Sequence, residues 1–136
     1  MVSILLKKSI FYDFYLRITS RSELDTAVNL WVSDQVEATD EYGNINTWDV
    51  SAITDFSRLF EEKENFNSDI SNWDVSGGTD STRMFFDASS FNHDLSGWDV
   101  SNGTDFDLIF AHASSFNGDL SDWNVGNGRS FYYPFY

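Results

Sequence analysis

Trp48, Trp73, Trp98 and Trp123 stand 25 residues apart, and the frame around each recurs: Thr-Trp-Asp-Val, Asn-Trp-Asp-Val, Gly-Trp-Asp-Val and Asp-Trp-Asn-Val. The same register holds Phe60, Phe85, Phe110 and Phe135, then the pairs Phe66-Asn67, Phe91-Asn92 and Phe116-Asn117. Asp69, Asp94 and Asp119 follow, with Asn44 in their place at the start. A unit this short cannot bury its own apolar face, so it becomes stable only by stacking on its neighbours. The tandem region therefore runs over residues 44–136 as three full units and one partial unit. Residues 20–43 read as a helical N-terminal cap, and residues 1–19 as a segment of unclear role.

Within each unit the apolar spacing Ile45, Trp48, Val50 is repeated as Ile70, Trp73, Val75, then Leu95, Trp98, Val100, then Leu120, Trp123, Val125. This is the strand spacing of leucine-rich repeats. It predicts a short parallel strand with Trp and Val inward and Asp49, Asp74, Asp99 and Asn124 outward. Glycines after the strand supply a turn at positive φ. Thr54-Asp55, Thr79-Asp80 and Thr104-Asp105 then cap a helical turn with Phe56, Leu59 and Phe60 on one face. The expected fold is an α/β solenoid, leucine-rich-repeat-like, with one short parallel strand and one short helix per unit. Ser20 with Glu23 forms a capping box, and Leu24, Ala27, Val28, Trp31 and Val32 make an apolar stripe, predicting a capping helix over 21–34.

The consensus Phe-Asn-x-Asp-Ile/Leu-Ser-x-Trp-Asp-Val-Ser-x-x-Thr-Asp-Phe-x-x-x-Phe resembles the BspA-like leucine-rich-repeat surface proteins. That resemblance implies a non-enzymatic repeat protein, associated with a cell surface or the extracellular space, acting in protein binding or adhesion. The units are not identical: Gly78, Gly103 and Gly128 stand where the first has Ile53, and Ser81 stands where it has Phe56.

Charge and composition narrow the chemistry. With 22 acidic and 8 basic residues the chain carries a formal charge of −14, which disfavours nucleic acid and anionic membranes as partners. Lys7, Lys8, Arg17 and Arg21 against Asp13 give residues 1–21 a charge of +3, so residues 22–136 carry −17. Those opening lysines break up an apolar run that would otherwise read as a signal peptide. No apolar stretch is long enough for a transmembrane segment. The absence of cysteine removes disulfides, thiolate metal sites and thiol catalysis.

The outward acids Asp49, Asp74 and Asp99, with Asn124, are the candidate binding ladder. Either they collect a cation such as Ca²⁺, or they present an acidic surface to a basic partner. Trp48, Trp73, Trp98, Trp123, Phe60, Phe85 and Phe110 read as a structural core ladder, and Asn67, Asn92 and Asn117 as loop residues that satisfy neighbouring backbone. His93 and His112 lack metal spacing, and no catalytic motif occurs, so neither an enzyme nor a resident cofactor or metal is expected. Two alternatives accompany the binding module: a structural fragment of a longer array without its own ligand, and a calcium-dependent acidic repeat domain. Pro134 in the last unit breaks its expected helix and leaves a face open to self-association.

Overall fold

The computed structural model describes residues 16–136, so residues 1–15 of the expected N-terminal segment lie outside the described residues. Two helices open the fold: α1, Arg21–Ser33, and α2, Gln35–Tyr42, followed by a 3-10 turn, Ile45–Thr47. The Ser20 hydroxyl accepts from Glu23 N–H at 3.1 Å, and the Glu23 carboxylate accepts from Thr19 N–H at 3.1 Å. This capping pair fixes where α1 starts. Leu24, Ala27, Val28 and Trp31 are buried while Val32 is exposed, so the inward stripe is narrower than the sequence pattern. Asp34 accepts from Glu37 N–H and starts α2, and Gly43 ends it at φ 76°, a conformation that suits a residue without Cβ. Leu16 and Ile18 bond to both sides of Asp49, laying the chain before α1 alongside the first coil.

The expected strand and helix in each unit do not form. Among the described residues the repeats contain no β-strand, no sheet and no α-helix, only isolated parallel bridges such as Asp55 with Asp80 and Asp80 with Asp105. Each unit is a coil of successive tight turns. Trp73 N–H donates to Ile70 O at 3.1 Å and Gly78 N–H to Val75 O at 2.8 Å; farther along, Met84 donates to Ser81 O, Ala88 to Phe85 O and Phe91 to Ala88 O. The three-residue apolar spacing that predicted a strand is thus the span of a turn closed by an i to i+3 bond. Asp74 Oδ1 accepts from Ser76 N–H at 3.0 Å, which bends the chain just after Trp73 and forbids an extended run. In the stretch expected to be helical, Arg58, Glu62, Arg83, Asp87, Leu108 and His112 adopt φ of 55–59°. That left-handed geometry breaks a helix and costs about 1–2 kcal/mol per non-glycine residue.

Coil-to-coil bonds offset that cost. Phe56, Arg58, Phe60 and Glu62 donate to Asp80 O, Thr82 O, Met84 O and Phe86 O at 2.8–2.9 Å, and the same four rungs recur from the second coil to the third and from the third to the fourth. Rings stack in parallel with them. Phe60, Phe85, Phe110 and Phe135 follow one another at centroid distances of 5.4, 5.3 and 5.5 Å, and Phe66, Phe91 and Phe116 at 5.8 and 6.0 Å. Trp48 stacks on Trp73 at 6.2 Å and Trp98 on Trp123 at 6.5 Å. Each indole N–H of Trp73, Trp98 and Trp123 reaches back to the carbonyl of Ile45, Ile70 or Leu95 in the preceding coil. No polar or charged side chain is buried among the described residues.

The glycines expected at positive φ serve a different end. Gly43 is the only described glycine there. A Cβ on Gly103 would sit 2.3 Å from Phe106 Cζ, and one on Gly128 2.2 Å from Phe131 Cζ: in these units the phenyl ring lies on the bare glycine. The first unit has Ile53 in that place, and its Phe56 leans instead over Gly78, 3.0 Å from where a Cβ would be. A second ring at position 81 would compete for that space, and the residue there is Ser81. The sequence departures at 53, 78 and 81 are one packing exchange. Replacing Gly103 by Ala is expected to destabilise the fold by about 1–3 kcal/mol through overpacking. Gly97→Ala meets nothing within 4 Å and is expected to be neutral. Chemical denaturation of the two variants checks this; equal midpoints would refute the ring-on-glycine account.

Candidate functional site

The acid ladder is built from the turns upward. Asp49, Asp74 and Asp99 each follow an inward Trp, and each turns one carboxylate oxygen to the backbone N–H two residues on, at 3.0 Å from Ser51, Ser76 and Ser101. Ser51 and Ser76 add hydroxyl bonds of 2.6 Å to the same oxygens. Asn124 does the same for Gly126 N–H at 3.0 Å, so a neutral amide suffices for the turn. Asp74, Asp99 and Asn124 are exposed, whereas Asp49 is half-buried with Arg17 3.9 Å away. One oxygen of each acid closes a turn; the other is left for the outer face at Asp74 and Asp99 and lies toward Arg17 at Asp49.

A second column runs along the loop before the tryptophans. Asp69, Asp94 and Asp119 accept from Ser71, Ser96 and Ser121 N–H at 2.8–2.9 Å. Beside them the Asn67 amide oxygen accepts from Asn92 N–H at 2.9 Å and that of Asn92 from Asn117 N–H at 3.0 Å. The asparagines therefore carry a coil-to-coil rung while the aspartates close turns. The Trp48, Trp73 and Trp98 indoles and the Phe60, Phe85 and Phe110 rings are buried, and Trp123 is half-buried. His93 bonds to Asn67 O at 2.9 Å, and His112 lies edge-on to Phe86 and Tyr136.

These bonds set the acidity of the columns. The Ser51 hydroxyl holds the Asp49 carboxyl below the usual carboxylate range, helped by the Ser51 amide and by Arg17 against the upward push of burial. The Ser101 hydroxyl and amide do so for Asp99. In the second column the amides and then the hydroxyls of Ser71, Ser96 and Ser121 lower Asp69, Asp94 and Asp119, even though Asp69 and Asp119 push Asp94 upward.

No group of three or more His, Cys, Asp or Glu side chains converges to hold a metal ion among the described residues. A cavity of about 10 Å³ lies beside Ser81, lined by Phe56, Gly78, Trp98 and Phe106 among others; it has room for about one water. No described helix is long and apolar enough to cross a membrane.

Sequence reasoning did not find the role of Arg21, which counted only as part of the basic N-terminal balance. Its guanidinium bonds to Asp25 at 2.7 Å and to the carbonyls of Asp55 at 3.0 Å and Ser57 at 2.5 Å. Those carbonyls belong to the peptide groups that, in later coils, accept from the coil before. Nor did it find the outer cluster of Glu61, Arg83 and Phe86, in which Arg83 Nε lies 2.6 Å from Glu61 and the guanidinium sits 3.8 Å over the Phe86 ring. Position 61 of the first unit and 83 of the second meet only once the coils are stacked.

The turn-closing acids tie stability to pH with a definite sign. Their carboxyls bind protons less tightly folded than unfolded, so their contribution is complete above about pH 4, the unfolded aspartate value, and is lost as pH falls through the lower folded values. The melting temperature is expected to fall in that acid range. Exchanging Asp69, Asp94 and Asp119 for Asn, which accepts the same bond but does not titrate, is expected to make the fall shallower. Melts of both proteins from about pH 6 to pH 2.5 check this, and identical acid limbs would refute it.

No curated protein and no solved structure matches the chain. The family description "Mycoplasma protein of unknown function, DUF285" matches residues 22–136, from the start of the capping helix through the last coil. The chain belongs to the DUF285 family.

Proposed function

We propose that this protein is a non-enzymatic binding or adhesion module, displayed at a cell surface, that presents its acid columns to a basic protein partner. The observation that carries the reading is the state of the acids. Asp74 and Asp99 are exposed, and each is held by the backbone N–H two residues on, that of Ser76 or Ser101. Their side-chain entropy is therefore spent on folding, before any partner arrives. Two such columns on one stack of coils form a fixed acidic surface that steers a cationic surface by its field. The acids recur with the unit and serve turns, unlike a catalytic pair, which needs a singular geometry. The surface display rests on the BspA-like resemblance.

Asp→Asn at positions 49, 74 and 99 separates recognition from folding, because Asn124 already closes the same turn with an amide. With poly-lysine as the cationic probe, the triple variant is expected to bind about three- to tenfold more weakly at low salt, with the difference shrinking as salt rises. Its melting temperature at neutral pH is expected to stay within a few degrees. Titration of both proteins against the probe at two ionic strengths checks the proposal, and unchanged affinity would remove the acid ladder from it.

A further inference from the structure

The two ends of the stack differ in chemistry, and the difference comes from the direction of its peptide groups. The peptide linking residues 55 and 56 sends its N–H forward to Asp80 O; the peptide linking 80 and 81 sends its N–H to Asp105 O, and the one linking 105 and 106 sends its N–H to Ser130 O. The columns that begin at Arg58, Phe60 and Glu62 run the same way. The columns that begin at Phe56, Arg58 and Phe60 thus start on carbonyls at the first coil and end on N–H groups at the last, while the Thr54, Thr79, Thr104 and Arg129 column runs the other way and ends on a carbonyl. At the first coil, Arg21 bonds to the carbonyls of Asp55 and Ser57, and α1 packs Trp31 edge-on against Trp48 at 5.9 Å. At the last coil, the N–H groups of Phe131, Tyr133 and Phe135 meet no acceptor among the described residues.

The same end shows the other half of each internal interface. Leu120 O is the counterpart of the carbonyls that accept an indole N–H from the next coil, Asn117 Oδ1 of those that accept a backbone N–H, and Arg129 O of those of Thr54, Thr79 and Thr104. Phe131 and Phe135, 5.3 and 5.5 Å above Phe106 and Phe110, are 44% and 64% exposed on this face. Phe85, the equivalent of Phe135 in the second coil, is wholly buried. Three donors, three acceptors and two rings thus repeat the arrangement that binds each coil to the next.

We propose that the face of the last coil is a docking surface for one further coil of this 25-residue pattern, and that the stack accepts coils at this end only. The occupant must offer carbonyls at alternate residues, two phenyl rings four residues apart and an indole N–H. A second copy cannot supply them. Its first coil has Arg21 on two of the matching carbonyls, those of Asp55 and Ser57, and a two-fold pairing of the two open faces sets like against like, leaving donors unpaired at about 1–3 kcal/mol each. The inference concerns the end of the stack and is independent of the acid columns on its side.

The test extends the full chain. A second copy of residues 87–111 joined after Tyr136 keeps the register, bringing Phe106 and Phe110 of the added copy over Phe131 and Phe135. A control extension carries Ser in place of Phe91, Trp98, Phe106 and Phe110. The native extension is expected to raise the melting temperature by about 3–6 °C and to slow hydrogen exchange at the amides of Phe131, Tyr133 and Phe135 by at least about tenfold, as protection follows local stability. The control is expected to do neither. Equal effects from both extensions, or none from either, would overturn the proposal. So would a concentration-dependent dimer of the unextended chain that protects the same three amides, because the occupant would then be a second copy.

Discussion

The structure depends on peptide groups that point along the axis of the stack rather than across it. From residues 56, 58, 60 and 62 onward, each second N–H leaves its own coil and bonds to the coil that follows, at 2.7–3.0 Å throughout. Only alternate peptides do so; the others close turns within the coil. A sheet would use both, which is why the coils show bridges and no strands. The left-handed residues at 58, 62, 83, 87, 108 and 112 are what flips alternate peptides onto the axis, and their conformational cost is offset by the bond each flip makes possible.

Aromatic stacking has the same period as the hydrogen bonds and reinforces it. The Phe60 column advances by 5.3–5.5 Å per coil with interplanar angles of 5–13°, which is within the contact range of offset-stacked rings. Phe66, Phe91 and Phe116 lie 4.1–4.4 Å from the Phe60-type ring of their own coil. Two columns of rings therefore brace each other inside each coil. This leaves the acids no place inside, and every buried side chain among the described residues is apolar. The columns of Asp49 and Asp69 type are the outer consequence of the same repeat. They close turns with one oxygen, and in the proposed function they meet a basic partner with the other.

The Trp and Phe positions could be read as a ladder from spacing alone, because a 25-residue recurrence of large apolar residues has to be matched by the geometry that buries them. The apolar stripe of α1 was equally legible, since Leu24, Ala27, Val28 and Trp31 keep helical spacing and are buried. The strand and the short helix were not. Apolar residues three apart, then two apart, fit an extended strand and a pair of turns equally well, and the sequence pattern does not say which bonds the backbone makes. Asp74 with Ser76 was the available signal for a turn, masked by a reading of Asp as an outward strand residue. The expectation of positive φ at Gly78 and Gly103 fails for a related reason: glycine signals positive φ or close approach, and only the neighbouring phenyl ring tells them apart.

What the sequence by itself determined is the period, the identity of the inward rings, the acid columns and the helical start, because each follows from residue type and spacing along one chain. Only the tertiary structure decided the secondary structure of the coil, since whether a peptide closes a turn or bonds across to a neighbour depends on the coil 25 residues away. It also decided the roles of Arg21, Ser81 and Gly103. Each of these is defined by a partner from another turn or another unit, and so is the unlike chemistry of the two ends, which exists only once the peptides are aligned.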